Sequence, residues 1–272
     1  MVVAFVTGGT SGIGAAFARQ LAADGYDLVL VARDVARLDS MATELRATGR
    51  AVETIAADLG DREAVARVAA RLEDPARPID FVVNNAGFGM HSSLIAADTS
   101  EHDRAFDVMC RAVLVLSGAA ARGMLARKTS TASGTTGTTG GTGTIVNVSS
   151  TAGFITTGNY SAIKAWVTVF TEGLSNELKG TGIQVTALCP GWVRTEFHQR
   201  AGIGASSIPN LMWLNAEQLV AACLRDVKRG KMISIPTVRY RVLIWMARHA
   251  PRSAVRSFSS KISSSRRKAT AQ

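Results

Sequence analysis

The chain opens on "VVAFVTGG" (2–9), an unbroken apolar run that ends in two glycines. A strand without polar alternation has no face to offer water. It must lie inside a sheet covered on both sides, the arrangement of parallel sheets. The glycines continue as "TGGTSGIG" (7–14) and lead into a helical stretch, "GIGAAFARQLAAD" (12–24). Gly8, Gly12 and Gly14 allow a tight turn and close backbone approach, and the helix start offers free N–H groups and a positive dipole end to a pyrophosphate. Glycine-rich turns are common; the position after a first buried strand is what gives this one weight.

The pattern then repeats. Strands are expected at 27–33, 51–58, 79–87, 143–150 and 183–191, with helices near 35–48, 61–73, 100–126 and around residue 160. Such alternation predicts an α/β fold with a doubly wound, mainly parallel sheet and helices on both faces. One large domain over 1–235 accommodates it, followed by a basic extension over 236–272 whose far end is expected to lack fixed structure. Two stretches break the pattern. "TSTASGTTGTTGGTGT" (129–144) is low-complexity and has nothing to bury, so a surface loop is expected. The segment 191–214 mixes Gly, Pro and large apolar residues after a strand end, where a substrate lid would sit in an open α/β sheet.

After the second strand the sequence reads "VARDVARL" (31–38). Arg33 suits the 2′-phosphate of NADP(H), while the neighbouring Asp34 leaves NAD(H) open as the second choice. Asp58, at the third strand's end, has two readings, a contact with adenine or a helix cap. Further on, "NYSAIKAW" (159–166) sets Tyr160 and Lys164 four positions apart on one helix face, ten residues after Ser149-Ser150. Alone, that spacing is explained by simple stacking of the two side chains.

In combination these segments say more. "TGGTSGIG", "NNAG" (84–87), "NVSS" (147–150), "YSAIK" (160–164) and "PGWVRTEF" (190–197) resemble, in order and approximate spacing, the short-chain dehydrogenase/reductase family over roughly residues 1–235. A weaker, general likeness is to members that reduce acyl- or steroid-type ketones and carry a C-terminal extension. The resemblance implies a Rossmann-type, seven-stranded sheet and a hydride exchanged with a nicotinamide cofactor. It assigns Tyr160 as general acid/base, Lys164 as the charge that favours its phenolate and holds the nicotinamide ribose, and Ser150 as the donor to the substrate oxygen. Ser150 is preferred to Ser149 because it directly precedes "TAG". The resemblance also places Thr10, Ser11 and Ile13 of the glycine turn, Asn85, Ala86 and Gly87, and Pro190, Gly191, Val193 and Thr195 against the cofactor. Thr195 would bond the carboxamide; Asn85 would brace the strand end, its other reading being a plain turn residue. A homodimer or homotetramer built through the long helix and the Tyr160 helix is implied too.

Two positions depart from the family pattern. Where the long helix usually carries an asparagine, "VMCRA" (108–112) has Met109, whose thioether cannot donate a hydrogen bond. The spacing from serine to tyrosine is also a few residues short.

Charge and scattered residues narrow the partners. The net charge of +10 is concentrated: from residue 227 onward there are twelve Lys or Arg and no Asp or Glu, against 19 basic and 21 acidic residues before it. The stretch "VRYRVLIWMARHAPRSAVRSFSSKISSSRRK" (238–268) reads first as a helix packing its apolar side on the domain with a solvated end, and second as contact with an anionic membrane. No nucleic-acid motif accompanies it. The run "VLIWMA" (242–247) is too short to span a bilayer. Three cysteines, Cys110, Cys189 and Cys223, form neither a disulfide framework nor a metal pattern, and with no basic leader ahead of the first strand a cytoplasmic setting is expected. His91, His102, His198 and His249 lack ligand spacing and are read as surface or pocket-lining residues, with no metal site. Phe154, Ile155, Trp192, Phe197, Ile208, Met212 and Trp213 would give the pocket a large apolar wall. The expected activity is an NADP(H)-dependent interconversion of carbonyl and alcohol on a hydrophobic substrate. The alternative is a nucleotide-binding regulatory or scaffold protein in which Met109 marks weakened catalysis.

Overall fold

The structure is a computed structural model and describes residues 2–90, 92–131, 143–195, 210–251, 253 and 255–257. Its elements run β1 (Val3–Thr7), α1 (Gly12–Ala23), β2 (Asp27–Ala32), α2 (Val35–Arg46), β3 (Val52–Ala56), α3 (Arg62–Glu73), β4 (Phe81–Asn84) and α4 (Ser100–Phe106). After a π-helical turn at Asp107–Arg111 come α5 (Ala112–Thr131), β5 (Gly143–Val148), a 3₁₀ turn at Thr151–Phe154, α6 (Asn159–Glu177) and β6 (Ile183–Leu188). The short pair β7 (Trp192–Val193) and β8 (Trp213–Leu214) precedes α7 (Ala216–Lys228), β9 (Ile233–Ser234) and α8 (Val238–His249).

Seven strands form one sheet in the order β3-β2-β1-β4-β5-β6-β9, every neighbouring pair parallel. Successive strand residues feed opposite faces. Ala4, Val6, Leu28 and Leu30 pack under α1, α2 and α7, whereas Phe5, Val29 and Val31 pack under α3, α5 and α6. Each fully buried Phe, Leu or Val contributes about 1.5–3 kcal/mol relative to exposure, which is why the apolar runs dictate a two-sided sheet. Asp34, Asp61 and Asn215 cap α2, α3 and α7 by accepting the N–H groups of their first turns.

The sheet reverses direction of winding between β1 and β4. β1 ends there in the short turn before α1 and β4 in the run Asn85, Ala86 and Gly87, and the carboxyl edge opens into a crevice at that point.

Two expectations change, in the long helix and in the loop over 129–144. The helix expected over 100–126 is interrupted by the π turn, which directs three consecutive residues, Val108, Met109 and Cys110, into the interior. The seventh strand, β9, has two residues, too few to leave a periodic signal. The loop expected over 129–144 is helix up to Thr131 and strand from Gly143; residues 132–142 lie outside the described residues, as do 196–209 of the expected lid, with Phe197, His198 and Ile208. The C-terminal stretch follows its first reading, a helix packed by its apolar side on the domain: α8 buries Tyr240 and Ile244, and Tyr240 belongs to the same core as α1 and α7.

Candidate active site

The glycine turn is shaped by two left-handed backbone positions, Gly8 (φ 64°) and Gly12 (φ 54°). Thr7 ties the turn to the next strand end. Its hydroxyl accepts from Asn85 N (2.9 Å) and Ala86 N (3.0 Å), and Asn85 Nδ2 donates to Thr7 O at 3.0 Å and Gly8 O at 3.3 Å. Asn85 is thus a brace between β1 and β4.

Around this turn lies a cleft of about 890 Å³ along the carboxyl edge of the sheet. It is lined by Gly8, Thr10, Ser11, Gly12, Ile13, Arg33, Asp58, Asn85, Ala86, Gly87, Ser150, Tyr160, Lys164, Pro190, Gly191, Val193 and Thr195. Gly14 is a correction: it does not line the cleft. It lies buried one layer below, where α1 passes so close to the turn that a Cβ would sit 2.1 Å from Gly8 O. Its effect on a ligand is exerted through the turn it lets close.

Beside α2, Asp34 is engaged in its own helix, accepting from Arg37 N at 3.1 Å and pairing with Arg37 Nε at 3.5 Å. The cations Arg33 and Arg37 both line the cleft. Asp58 caps no helix, since Asp61 already caps α3; instead Arg104 Nη2 donates to both Asp58 oxygens, at 3.0 and 2.8 Å. Burial works against the Asp58 carboxylate. The bonds from Arg104 and Gly60 N, with the charges of Arg104 and Arg33, outweigh it and hold the pKa below its usual value.

α6 brings Tyr160 and Lys164 onto one face. Lys164 is buried, its Nζ donates to Val148 O at 2.9 Å and lies 5.6 Å from the centre of the Tyr160 ring. Burial lowers its pKa to about 8. The nearby Cys110 and Cys189 thiols, themselves pushed up by burial to about 11, act on it in the raising direction and are outweighed by that burial. The two serines divide their tasks. Ser149 Oγ donates to Lys164 O at 2.6 Å and bonds Thr168 Oγ1 at 2.7 Å, fastening α6 to β5. Ser150, half-buried at the head of the 3₁₀ turn, accepts from Ala152 N at 3.1 Å and reaches Pro190 O at 3.5 Å.

Met109 does not face the cleft. It is fully buried, its thioether packed beneath Gly87, and Val108 lines the cleft in its place. The π turn decides this. His102, read from sequence as surface or pocket-lining, is buried between Ser93 O (3.1 Å) and Asn159 Nδ2 (3.0 Å) and joins α4 to the start of α6. Of the expected apolar wall, Ile155 and Trp192 line the cleft. Phe154 lies under the Arg248 guanidinium, and Trp213 stacks edge-on against Trp192. Met212 is tied through its carbonyl to the Tyr240 hydroxyl at 2.8 Å. Among the described residues no three His, Cys, Asp or Glu side chains converge.

Sequence reasoning missed Arg37 and Arg104, and also the buried chain Asn84–Ser117–Asn147–Thr171 that pins β4 and β5 to α5 and α6. The signal for Arg37 was present, four positions after Arg33 at the first turn of α2. Nothing local marks Arg104, which meets Asp58 across 46 residues.

Comparison with known proteins identifies the family. A family model described as short chain dehydrogenase matches residues 2–204. A Streptomyces virginiae protein named as a monensin polyketide synthase ketoacyl reductase is 36% identical over 214 residues, covering 74% of each chain. A solved short-chain dehydrogenase from Sphingobium yanoikuyae in complex with NADPH is 35% identical with a TM-score of 0.79, over 89% of this chain and 92% of that one. A bulky-bulky ketone specific alcohol dehydrogenase from Comamonas testosteroni is 30% identical with a TM-score of 0.74, over 91% and 92%.

Proposed function

Because the chain belongs to the short-chain dehydrogenase/reductase family, we propose that it is an NADP(H)-dependent oxidoreductase that interconverts a ketone and a secondary alcohol on a hydrophobic substrate. The reading rests on one observation above all: Ser150, Tyr160 and Lys164 line the same cleft as the glycine turn and Arg33. The residues suit the dinucleotide. Gly12 lines the cleft without a Cβ, Gly14 lets the turn close beneath it, and α1 begins behind them with free N–H groups for a pyrophosphate. Arg33 and Arg37 offer charge to a 2′-phosphate, while the Asp34 carboxylate that would favour NAD(H) is occupied as a helix cap. The NADPH held by the Sphingobium relative supports the same preference.

When bound, the reduced cofactor supplies a hydride to the carbonyl carbon. Tyr160 gives its phenolic proton to the carbonyl oxygen, so C=O becomes CH–OH, and the proton is then replaced from solvent. Ser150 Oγ donates to the same oxygen while negative charge develops there. Lys164, fixed by Val148 O, places a positive charge beside the phenolate that Tyr160 becomes. The substrate end of the cleft is walled by Phe88, Met90, Val108, Ile155 and Trp192, which favours bulky apolar ketones over small polar ones. The names of the Streptomyces and Comamonas relatives point the same way. A cofactor-sensing scaffold gains no support from Met109, whose side chain lies in the core.

The test is NADPH consumption across a panel of bulky ketones, β-ketoacyl thioesters and sterones, with NADH in parallel. Turnover favouring NADPH supports the reading; tight NADPH binding without turnover of any ketone counts against it. Arg33→Ala is expected to lower kcat/KM for NADPH about tenfold or more and leave NADH nearly unchanged. An equal loss with both cofactors would remove Arg33 from 2′-phosphate recognition.

The pH profile follows from Lys164. Its ammonium is the working form and its pKa is lowered to about 8 by burial. Reduction is expected to be level below that pH and to fall as pH rises through it. A profile level to about pH 10 would mean that the charge on Lys164 is not used.

A further inference from the structure

The outer face of α8 is unlike that of a helix turned to water. On the domain side it buries Tyr240 and Ile244, so its opposite side should be polar. Instead Val238, Val242, Trp245 and Met246 are 65%, 50%, 62% and 46% exposed. At about 100° per residue, Val238, Val242 and Trp245 fall within a stripe about 60° wide, roughly opposite Tyr240. Arg241 and Arg248 stand between that stripe and the buried face on one side, and Arg239 borders it on the other. An apolar stripe edged by arginines suits a boundary where hydrocarbon meets phosphate: Arg241 is exposed beside it, while Arg239, which donates to Trp213 O, and Arg248, which lies over the Phe154 ring, add positive charge along its borders.

We propose that this outer face of α8 is a membrane-surface contact, seated at the headgroup level of an anionic phospholipid bilayer. Charge argues for that occupant. No Asp or Glu follows Asp226, and residues 227–272 hold twelve Lys or Arg, the kind of segment that anionic lipid attracts. A second copy of the chain is a poorer fit. Pairing α8 with its symmetry mate would set Arg239, Arg241 and Arg248 against the same three cations, with no acidic residue on the helix to offset them.

The contact would also sit next to the substrate wall. The Tyr240 hydroxyl accepts from Trp192 N at 3.0 Å and donates to Met212 O at 2.8 Å, Arg239 Nη2 donates to Trp213 O at 3.3 Å, and Trp192 lines the cleft. A lipophilic ketone dissolved in the bilayer would then have a short route to the site. That last consequence rests on the function proposed above; the membrane contact does not.

The test is flotation of the full chain with vesicles of phosphatidylcholine alone and of phosphatidylcholine with phosphatidylserine, at low and high salt. The chain is expected to float with the anionic vesicles and to be released by salt. Trp245→Asp and Val242→Asp are each expected to lower partitioning about tenfold or more, with NADPH-dependent turnover of a water-soluble ketone unchanged. Leu94→Asp removes an equally exposed apolar side chain elsewhere and is expected to float as before. The proposal is overturned if the chain ignores anionic vesicles, or if the α8 variants bind them undiminished. It is equally overturned if Trp245→Asp splits a dimer while leaving vesicle binding intact, which would make the face a contact between copies. Vesicle binding is scored without substrate, so an enzyme inactive on every ketone would leave this result standing.

Discussion

Tyr160→Phe is expected to reduce kcat for ketone reduction by about 10²–10⁴-fold while NADPH still binds. The substitution removes one oxygen and keeps the ring, so the packing of α6 and the hold of Val148 O on Lys164 remain. What disappears is the only group that the proposed mechanism uses to protonate the developing alkoxide. Ser150 can stabilise that oxygen with a hydrogen bond, but its own proton is far less available than that of a phenol beside an ammonium. Single-turnover NADPH oxidation and a cofactor titration separate the two effects. A variant retaining more than about a tenth of the activity would mean that the proton comes from elsewhere. One that has also lost NADPH would mean that Tyr160 mainly builds the cofactor site.

Gly14→Ala is expected to weaken NADPH binding about 100-fold or more, although Gly14 touches no part of the cleft. The added Cβ would land 2.1 Å from Gly8 O and 2.4 Å from Asn85 Nδ2. Neither neighbour can yield cheaply. Gly8 O belongs to a turn tied back to β2 through Gly8 N and Val31 O (2.7 Å), and Asn85 is the brace to β4. The start of α1 must therefore shift, taking its N–H groups away from the pyrophosphate position. Overpacking of this kind costs about 1–3 kcal/mol, which for a chain of this length lowers Tm by roughly 2–10 °C. Gly173→Ala is the matched control: it is helical and nothing lies within 4 Å of its Cβ position, so it should be neutral or stabilising by up to about 1 kcal/mol. Wild-type affinity and Tm in Gly14→Ala would sink the account of the turn.

The two positions illustrate how far the sequence could be read. Helical spacing puts Tyr160 and Lys164 on one face, and the family resemblance of the surrounding segments is what made the pair legible as a site. The sheet was legible because two-sided burial leaves apolar runs such as "VVAFV" and "DLVLVA". Gly14 was legible as an important glycine and misread as a lining one, since the same residue type serves close approach to a ligand and close approach of a helix to a turn. The direction of the Met109 side chain was not legible. Regular helical phase aims it one way, and the π turn at Asp107–Arg111 turns it beneath Gly87.

By itself, then, the sequence determined the order of strands and helices as far as β6 and the glycine turn, which are written in local periodicity, and its short segments in fixed order carry the family resemblance that singles out Ser150, Tyr160 and Lys164. Tertiary structure alone decided which of two adjacent serines anchors α6, that Arg104 holds Asp58, and that Asp34 is taken up as a cap beside two cleft-lining arginines. Those outcomes depend on groups far apart in the chain meeting in space. Their energies come from desolvation and hydrogen-bond geometry, which no local pattern of residues records.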